Sequence, residues 1–298
     1  DGIVDTETKT DYITVDEQTV GGIINGSTTV CSGINNSTLT LSGHTGTINK
    51  WQSNNGSGWN DLNNTTTIET AINLTQTTQY RAAIKSGTCA EEYATIAVVT
   101  VDETTIGGII NGDTTVCSGN NNTTLTLSGH TGNITKWQWS TDNWTTTNDI
   151  NNTSTTETAI NLTDTTKYRA VIKNGVCAED NSAEAIIHVN MLPTATITGT
   201  TTICEGTSTT LSALGGTSYL WDDSSINDTR IVSPTVNTTY TITATLNGCT
   251  DTENITITLF PLATANAGTD VNVCSGSSVQ LNATGGVTFV WTPADGLS

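Results

Sequence analysis

One stretch of this chain occurs twice almost unchanged, and that repetition limits the possible folds more than any other feature. TVDEQTVGGIINGSTTVCSG at 14–33 returns as TVDETTIGGIINGDTTVCSG at 100–119, an offset of 86 residues. TQYRAAIKSGTCAE at 78–91 returns as TKYRAVIKNGVCAE at 166–179, an offset of 88, so two residues are inserted between Trp51 and Tyr80. A third unit keeps only the skeleton Cys204, Leu211, Trp221, Tyr240 and Cys249, and a fourth begins with Cys274, Val279, Leu281 and Trp291. First Cys and Trp lie 20, 20, 17 and 17 residues apart, while Tyr and second Cys are nine apart in the three complete units. A period of this size marks tandem domains of one fold.

The units are expected at 17–102, 103–190 and 191–260, with 1–16 as the C-terminal strand of a preceding domain and 261–298 as the start of a fourth. The whole reads as a segment of a longer polypeptide. No Gly/Ser-rich or Pro-rich stretch separates the units, so a semi-rigid rod is expected.

Within a unit, the segment after the first Cys alternates with period two, as at Leu39 and Leu41, Leu125 and Leu127, Leu211 and Ala213. That is the pattern of a half-buried strand. Tyr80, Ala82 and Ile84 alternate in the same way before Ser86-Gly87, and Tyr240, Ile242 and Ala244 before Asn247-Gly248. Asn-Gly favours a type I′ hairpin, because both central residues of that turn need positive φ. The 67 Thr and 30 Asn residues suit strands and turns respectively. Roughly seven short strands around a core Trp indicate an all-β chain of tandem immunoglobulin-like sandwiches, with a small barrel as the alternative. The core tryptophans are expected to be Trp51, Trp137, Trp221 and Trp291.

Seven cysteines could serve metal, redox chemistry or disulfides. No C-x2-C pair occurs, and the complete units hold two each. The expected bonds are Cys31 with Cys89, Cys117 with Cys177 and Cys204 with Cys249, one within each complete domain, with the partner of Cys274 beyond Ser298. Disulfides imply an oxidising compartment outside the cytoplasm. The first Cys precedes its strand and the second follows a turn, so the bond should clamp one end of the sandwich.

The residues that could carry chemistry are few. A net charge of −19 repels nucleic acid and anionic lipid, and no 18-residue apolar run is present for membrane insertion. His44 and His130 sit in SGHTG loops with Ser42 and Ser128 nearby, yet no acid is placed to orient them, and these read as strand-end turns rather than an enzyme site. His188 reads as strand packing. Asp16-Glu17, Asp102-Glu103 and the loop with Asp222, Asp223, Asn227 and Asp228 offer hard oxygens for Ca²⁺ or are solvated acidic loops; no cofactor is required. Trp59, Trp139 and Trp144 exceed the core set and could stack on surface glycans or pack structurally.

Residues 265–298, ANAGTDVNVCSGSSVQLNATGGVTFVWTPADGLS, resemble the PKD-like and Ig-like repeats of giant Bacteroidetes surface proteins, and WQWSTDNW at 137–144 points the same way. The resemblance implies a type IX-secreted stalk, as in SprB-type gliding adhesins, exported across the outer membrane to the cell surface. Its partners would be adjacent repeats, surface glycans or other surface proteins, and no catalytic residue is implied. A carbohydrate-binding array, or spacer domains in a large secreted polysaccharide-degrading enzyme, are the competing expectations.

Overall fold

A computed structural model describes residues 13–292 together with 2, 4, 7 and 8. The described residues form strands and no helix, in two compact units, 1–189 and 190–298.

Repeat 1 comprises β1 (Ile23–Asn25), β2 (Thr28–Cys31), β3 (Asn36–Ser42), β4 (Thr47–Asn54), β5 (Asn60–Leu62), β6 (Ile68–Ile72), β7 (Thr78–Lys85), β8 (Glu92–Tyr93) and β9 (Ala97–Asp102). One sheet has the order β1-β3-β6; the other runs β2-β9-β7-β4-β5, with β8 also on β7. Repeat 2 reproduces both sheets with β10 (Ile109–Asn111), β11 (Thr114–Cys117), β12 (Asn122–Ser128), β13 (Asn133–Ser140), β14 (Asn148–Ile150), β15 (Thr156–Ile160), β16 (Thr166–Lys173), β17 (Asp180–Asn181) and β18 (Ala185–Asn190).

The alternation read from the sequence is the burial pattern observed. Along β3 exposed and buried residues alternate without a break, because each second side chain of a strand faces the opposite sheet. Leu39, Leu41 and Ile24 meet Trp51, Tyr80, Ala82, Ile84, Ala97 and Val99 in one core; Leu125, Leu127 and Ile110 meet Trp137, Tyr168, Ala170, Ile172 and Ile187 in the next. Each core indole is also tied across the sandwich. Trp51 donates its Nε1–H to Thr66 O (2.8 Å), Trp137 to Ser154 O (2.9 Å) and Trp221 to Asn227 O (2.9 Å). A buried indole N–H left without an acceptor would be costly, so these loops are fixed by the core they cover.

The second unit holds β19 (Thr196–Thr198), β20 (Thr202–Cys204), β21 (Thr209–Leu214), β22 (Ser218–Trp221), β23 (Thr229–Val232), β24 (Thr238–Leu246) and β25 (Cys249–Phe260), in sheets β19-β21-β23 and β20-β25-β24-β22. Leu211, Trp221, Ile242 and Ile257 centre its core. Described residues after 260 contain no strand and one isolated bridge, Asn266 to Thr284. Trp291 is half-buried rather than a core residue, and Val279 and Leu281 are exposed. The physical reason is that among the described residues after 260 no strands corresponding to β24 and β25 cover that face. The expected strand in 1–16 falls largely outside the described residues, and 13–16 form none.

In repeats 1 and 3 one pairing is parallel. Thr28–Cys31 lie beside Val99–Asp102, and Thr202–Cys204 beside Thr258–Phe260. The strand that opens the second sheet therefore runs alongside the strand that closes the repeat, and Cys31 stands level with Asp102, the last residue of β9.

Candidate functional site at the repeat junctions

The parallel pairing decides where the cysteines go. Cys31 ends β2 at the C-terminal pole of repeat 1, where Ser32 N–H donates to Asp102 O at 2.9 Å. Cys89 follows the turn after β7, at the opposite pole, where its Sγ lies 3.3 Å from Glu17 O. The two cannot meet, since a disulfide needs Cα atoms within about 7 Å. The expected bonds 31–89, 117–177 and 204–249 do not form. Cys31 is bonded instead to Cys177 of repeat 2, 146 residues away, with Cα atoms 4.9 Å apart. Cys117 and Cys249 are also in disulfides, whereas Cys89, Cys204 and Cys274 carry free thiols.

The acidic pairs considered for calcium are what bring Cys177 to this place. Asp102 ends β9 and begins the linker to repeat 2, and its carboxylate accepts the Val176 N–H at 2.9 Å. Asn174 Nδ2 donates to Glu103 O (2.8 Å), and Cys177 Sγ sits 3.2 Å from the same oxygen. Gly175 is in the left-handed region (φ 50°), and a Cβ there would collide with the Asp102 carboxylate. Asp16 repeats the arrangement one domain earlier, accepting from Thr88 N–H at 2.7 Å and from Thr88 Oγ1 at 2.9 Å. The backbone N–H of Thr88, and then its hydroxyl, hold the Asp16 carboxyl below the usual aspartate value.

These turns also differ from the expected type I′ form. In repeats 1 and 2 the turn lies one residue further on, closed by Cys89 N–H to Ser86 O and Cys177 N–H to Asn174 O; only its first central residue, Gly87 or Gly175, has positive φ, and the chain runs several residues before β8 or β17. The junction aspartate takes the N–H of the second central residue and replaces the tight hairpin. Repeat 3 has the expected turn, with Asn247 at φ 51°, Gly248 at φ 82° and Leu246 opposite Cys249.

Asp222 and Asp223 pair with Arg230, the latter at 3.1 Å, and Asp228 lends its backbone carbonyl to Ala213 N–H. Among the described residues no group of three or more His, Cys, Asp or Glu side chains converges as a metal site would require. His188 points outward from β18, because Ile187 takes the inward position.

Two of the extra tryptophans, Trp59 and Trp144, cover the outer face of the second sheet. Lys50 Nζ and Gln52 Nε2 both donate to Asp61 (2.8 and 2.6 Å), and Gln52 Oε1 accepts from Arg81 Nε (2.7 Å). The Arg81 guanidinium is stacked between Trp59 (4.0 Å to the ring centre) and Tyr93 (3.8 Å). Repeat 2 builds the same ladder from Lys136, Asp149, Gln138 and Arg169, with Trp144 over Arg169 at 4.1 Å. Trp144 is held further by Glu184, which accepts its Nε1–H at 2.5 Å and an Nζ–H of Lys167 at 2.9 Å. Trp59 and Trp144 are thus engaged in cation–π packing, worth about 0.5–1 kcal/mol at such sites. Trp139 differs. It is half-buried and walls a groove of about 480 Å³ with Ile150, Glu157, Leu162, Asp164 and Tyr168. Burial, and then the charge of Glu157, push the Tyr168 phenol up to about 12. Ser53 holds the corresponding register position in repeat 1, so this aromatic wall is particular to repeat 2.

A family model described as "Domain of unknown function (DUF8696)" matches residues 20–103 and again 106–191, more than half of the sequence. The chain belongs to this family. No curated protein matches it. Among solved structures, a three-domain immunoglobulin fragment of titin, an E-to-A variant, is 12% identical with a TM-score of 0.49, covering 80% of this chain and 99% of that one. A marsupial T cell receptor is 10% identical with a TM-score of 0.40, over 78% and 99%. Sidekick-1 immunoglobulin domains 1–5 are 13% identical with a TM-score of 0.38, over 83% and 60%. The sheet orders and strand pairings described above are those of tandem immunoglobulin-like sandwiches. The disulfides point to an oxidising, extracellular type of compartment.

Proposed function

We propose that these repeats are a non-catalytic, load-bearing stalk of a repetitive cell-surface adhesin, of the kind carried by gliding Bacteroidetes and exported by type IX secretion. The observation that carries this reading is the parallel pairing of β2 with β9, repeated by β20 with β25. Tension on the two ends of a repeat draws these neighbouring strands in opposite directions along their length. Their hydrogen bonds are then loaded together instead of opening one at a time. The resemblance of residues 265–298 supports the bacterial surface assignment, and the −19 charge would keep neighbouring stalks apart. Fluorescent antibody against residues 103–190 on live source cells is the test. A surface signal that moves, with attachment or gliding impaired by antibody, supports the reading; a static signal with unaffected behaviour overturns the motility assignment.

A second reading is favoured by the Trp139 groove alone. An aromatic wall beside two carboxylates, Glu157 and Asp164, suits a sugar ring with hydroxyls to satisfy. Calorimetry of the chain with oligosaccharides should then show millimolar or tighter binding that Trp139→Ala abolishes. No heat at those concentrations overturns it.

A further inference from the structure

We propose that the Cys31–Cys177 bond is one rung of a general rule: the first cysteine of each repeat is bonded to the second cysteine of the next. The array is then a covalent ladder that unfolding can scarcely lengthen. This goes beyond the stalk reading and stands whatever the array is attached to.

The geometry supplies the rule. In each complete repeat the first cysteine ends a strand, and in repeats 1 and 3 the parallel pairing sets it at the C-terminal pole: Cys31 beside Asp102, and Cys204 beside Phe260, whose carbonyl accepts from Glu205 N–H at 3.1 Å just as Asp102 O accepts from Ser32. Every second cysteine sits at the N-terminal pole, against the residue that leads into its repeat. Cys177 Sγ is 3.8 Å from Asp102 O, Cys89 Sγ 4.0 Å from Asp16 O, and Cys249 Sγ 3.8 Å from Asn190 O.

The rule also accounts for all seven sulfurs. Cys117 and Cys249 hold in repeats 2 and 3 the places that Cys31 and Cys177 hold in repeats 1 and 2, and both are in disulfides. Cys89 needs the first cysteine of a repeat ending at Asp16, while Cys204 and Cys274 need second cysteines that follow Cys274. These 298 residues include none of the three, and those thiols are free. Pairing within repeats would leave only Cys274.

Each rung forms by exchange with an oxidised dithiol or glutathione disulfide. One cysteine thiolate displaces a sulfur of that disulfide, and the partner thiolate then displaces the other. The two protein thiols lose two electrons and two protons, and the oxidant leaves as two thiols.

The consequence is mechanical. A covalent path enters at Cys31, crosses to Cys177, follows the chain for 27 residues to Cys204 and crosses again. Fully extended, 27 residues span about 95 Å, against about 600 Å for the 173 residues from Cys31 to Cys204 along the backbone. Two repeats could therefore unfold and the path would grow only to the length of their junction segment.

Alkylation of the unreduced, denatured 298-residue chain, followed by peptide mapping, is the first test. Label on Cys89, Cys204 and Cys274, with first-to-next-second linked peptides, is expected. Label on Cys274 alone, or a peptide joining Cys31 to Cys89, overturns the rule. Single-molecule extension by the chain ends is the second. Reductant should add about 500 Å of contour for the 146 residues withheld by the Cys31–Cys177 bond. Equal contour with and without reductant overturns the ladder. Cys31→Ser should expose a new thiol at Cys177 and leave Cys89 unchanged; should it fail to fold, the wild-type alkylation pattern decides alone.

Discussion

Repeats 2 and 3 place their second cysteine by opposite chemistry. In repeat 2 the junction residue is Asp102, an acceptor, which takes the Val176 N–H in a loop that runs on before β17. In repeat 3 it is Asn190, a donor, which gives its amide N–H to Asn247 O at 2.8 Å, and the hairpin closes directly into the twelve-residue β25. The turn, the strand length and the sign of the hydrogen bond all change. The sulfur stays 3.8 Å from the junction carbonyl in both. What has been kept through this divergence is the position of a sulfur relative to the preceding strand, which a bond inside one repeat would not require.

The largest effect that could break this comparison is loss of the rung. Removing the link across 146 residues should cost up to about 5 kcal/mol in the chain-entropy account, so Cys31→Ser should lower stability sharply while Cys89→Ser changes it little. Equal effects in denaturant melts would show that the two cysteines act as a pair. Next comes the core. Trp137→Ala should cost about 3–5 kcal/mol through the cavity and the lost bond to Ser154, and Trp221→Ala a similar amount, each confined to its own unit in calorimetry. Third is the turn. Gly175→Ala meets both a left-handed backbone and the Asp102 carboxylate, whereas at Gly248 a Cβ meets nothing within 4 Å. The first should therefore cost more than the roughly 1–2 kcal/mol of backbone strain expected at the second; equal losses would mean the aspartate cap gives way freely.

The smallest effect is that of acid. Asp16, Asp61, Asp142, Asp149 and Glu184 in the first unit are held below their usual values by the hydrogen bonds they accept, against Asp223 in the second. A carboxyl whose folded pKa is depressed stabilises the fold above its unfolded value, and that contribution is lost as pH falls through the folded value. Both units should melt at constant temperature from neutrality to about pH 5, and below about pH 4 the first unit should fall faster. A second unit that is the more acid-sensitive would run against the hydrogen bonds described.

Much of this was legible in the sequence. Alternation at Leu39 and Leu41, the Tyr80 to Ile84 strand and the spacing of Trp51 from Cys31 reflect local chain geometry, and each found its place in the sandwich. The cysteine partners were not legible, because two per repeat is equally compatible with bonds inside repeats and between them. The deciding fact is non-local: β2 runs parallel to β9, so the first cysteine leaves toward the next repeat while the turn carrying the second faces the previous one. A signal was present in TVDE at 14–17 and 100–103, an acidic pair placed at the junctions. It read as a solvated acidic pair or a cation ligand because its real partner, a turn N–H some seventy residues onward, has no signature of its own. Trp59 and Trp144 were similarly ambiguous until Arg81 and Arg169 were found beneath them.

The opposite placement of the two sulfurs bears on how such a gene can change length. Each repeat offers one half-bond at its upper pole and the complementary half at its lower pole. Duplication or loss of a whole repeat by recombination therefore leaves every interior thiol with a mate, whatever the copy number. Point loss of a single cysteine, by contrast, strands a thiol in a neighbouring domain. The length of the array is free to drift by whole domains, while the cysteines themselves are bound to one another across domain borders.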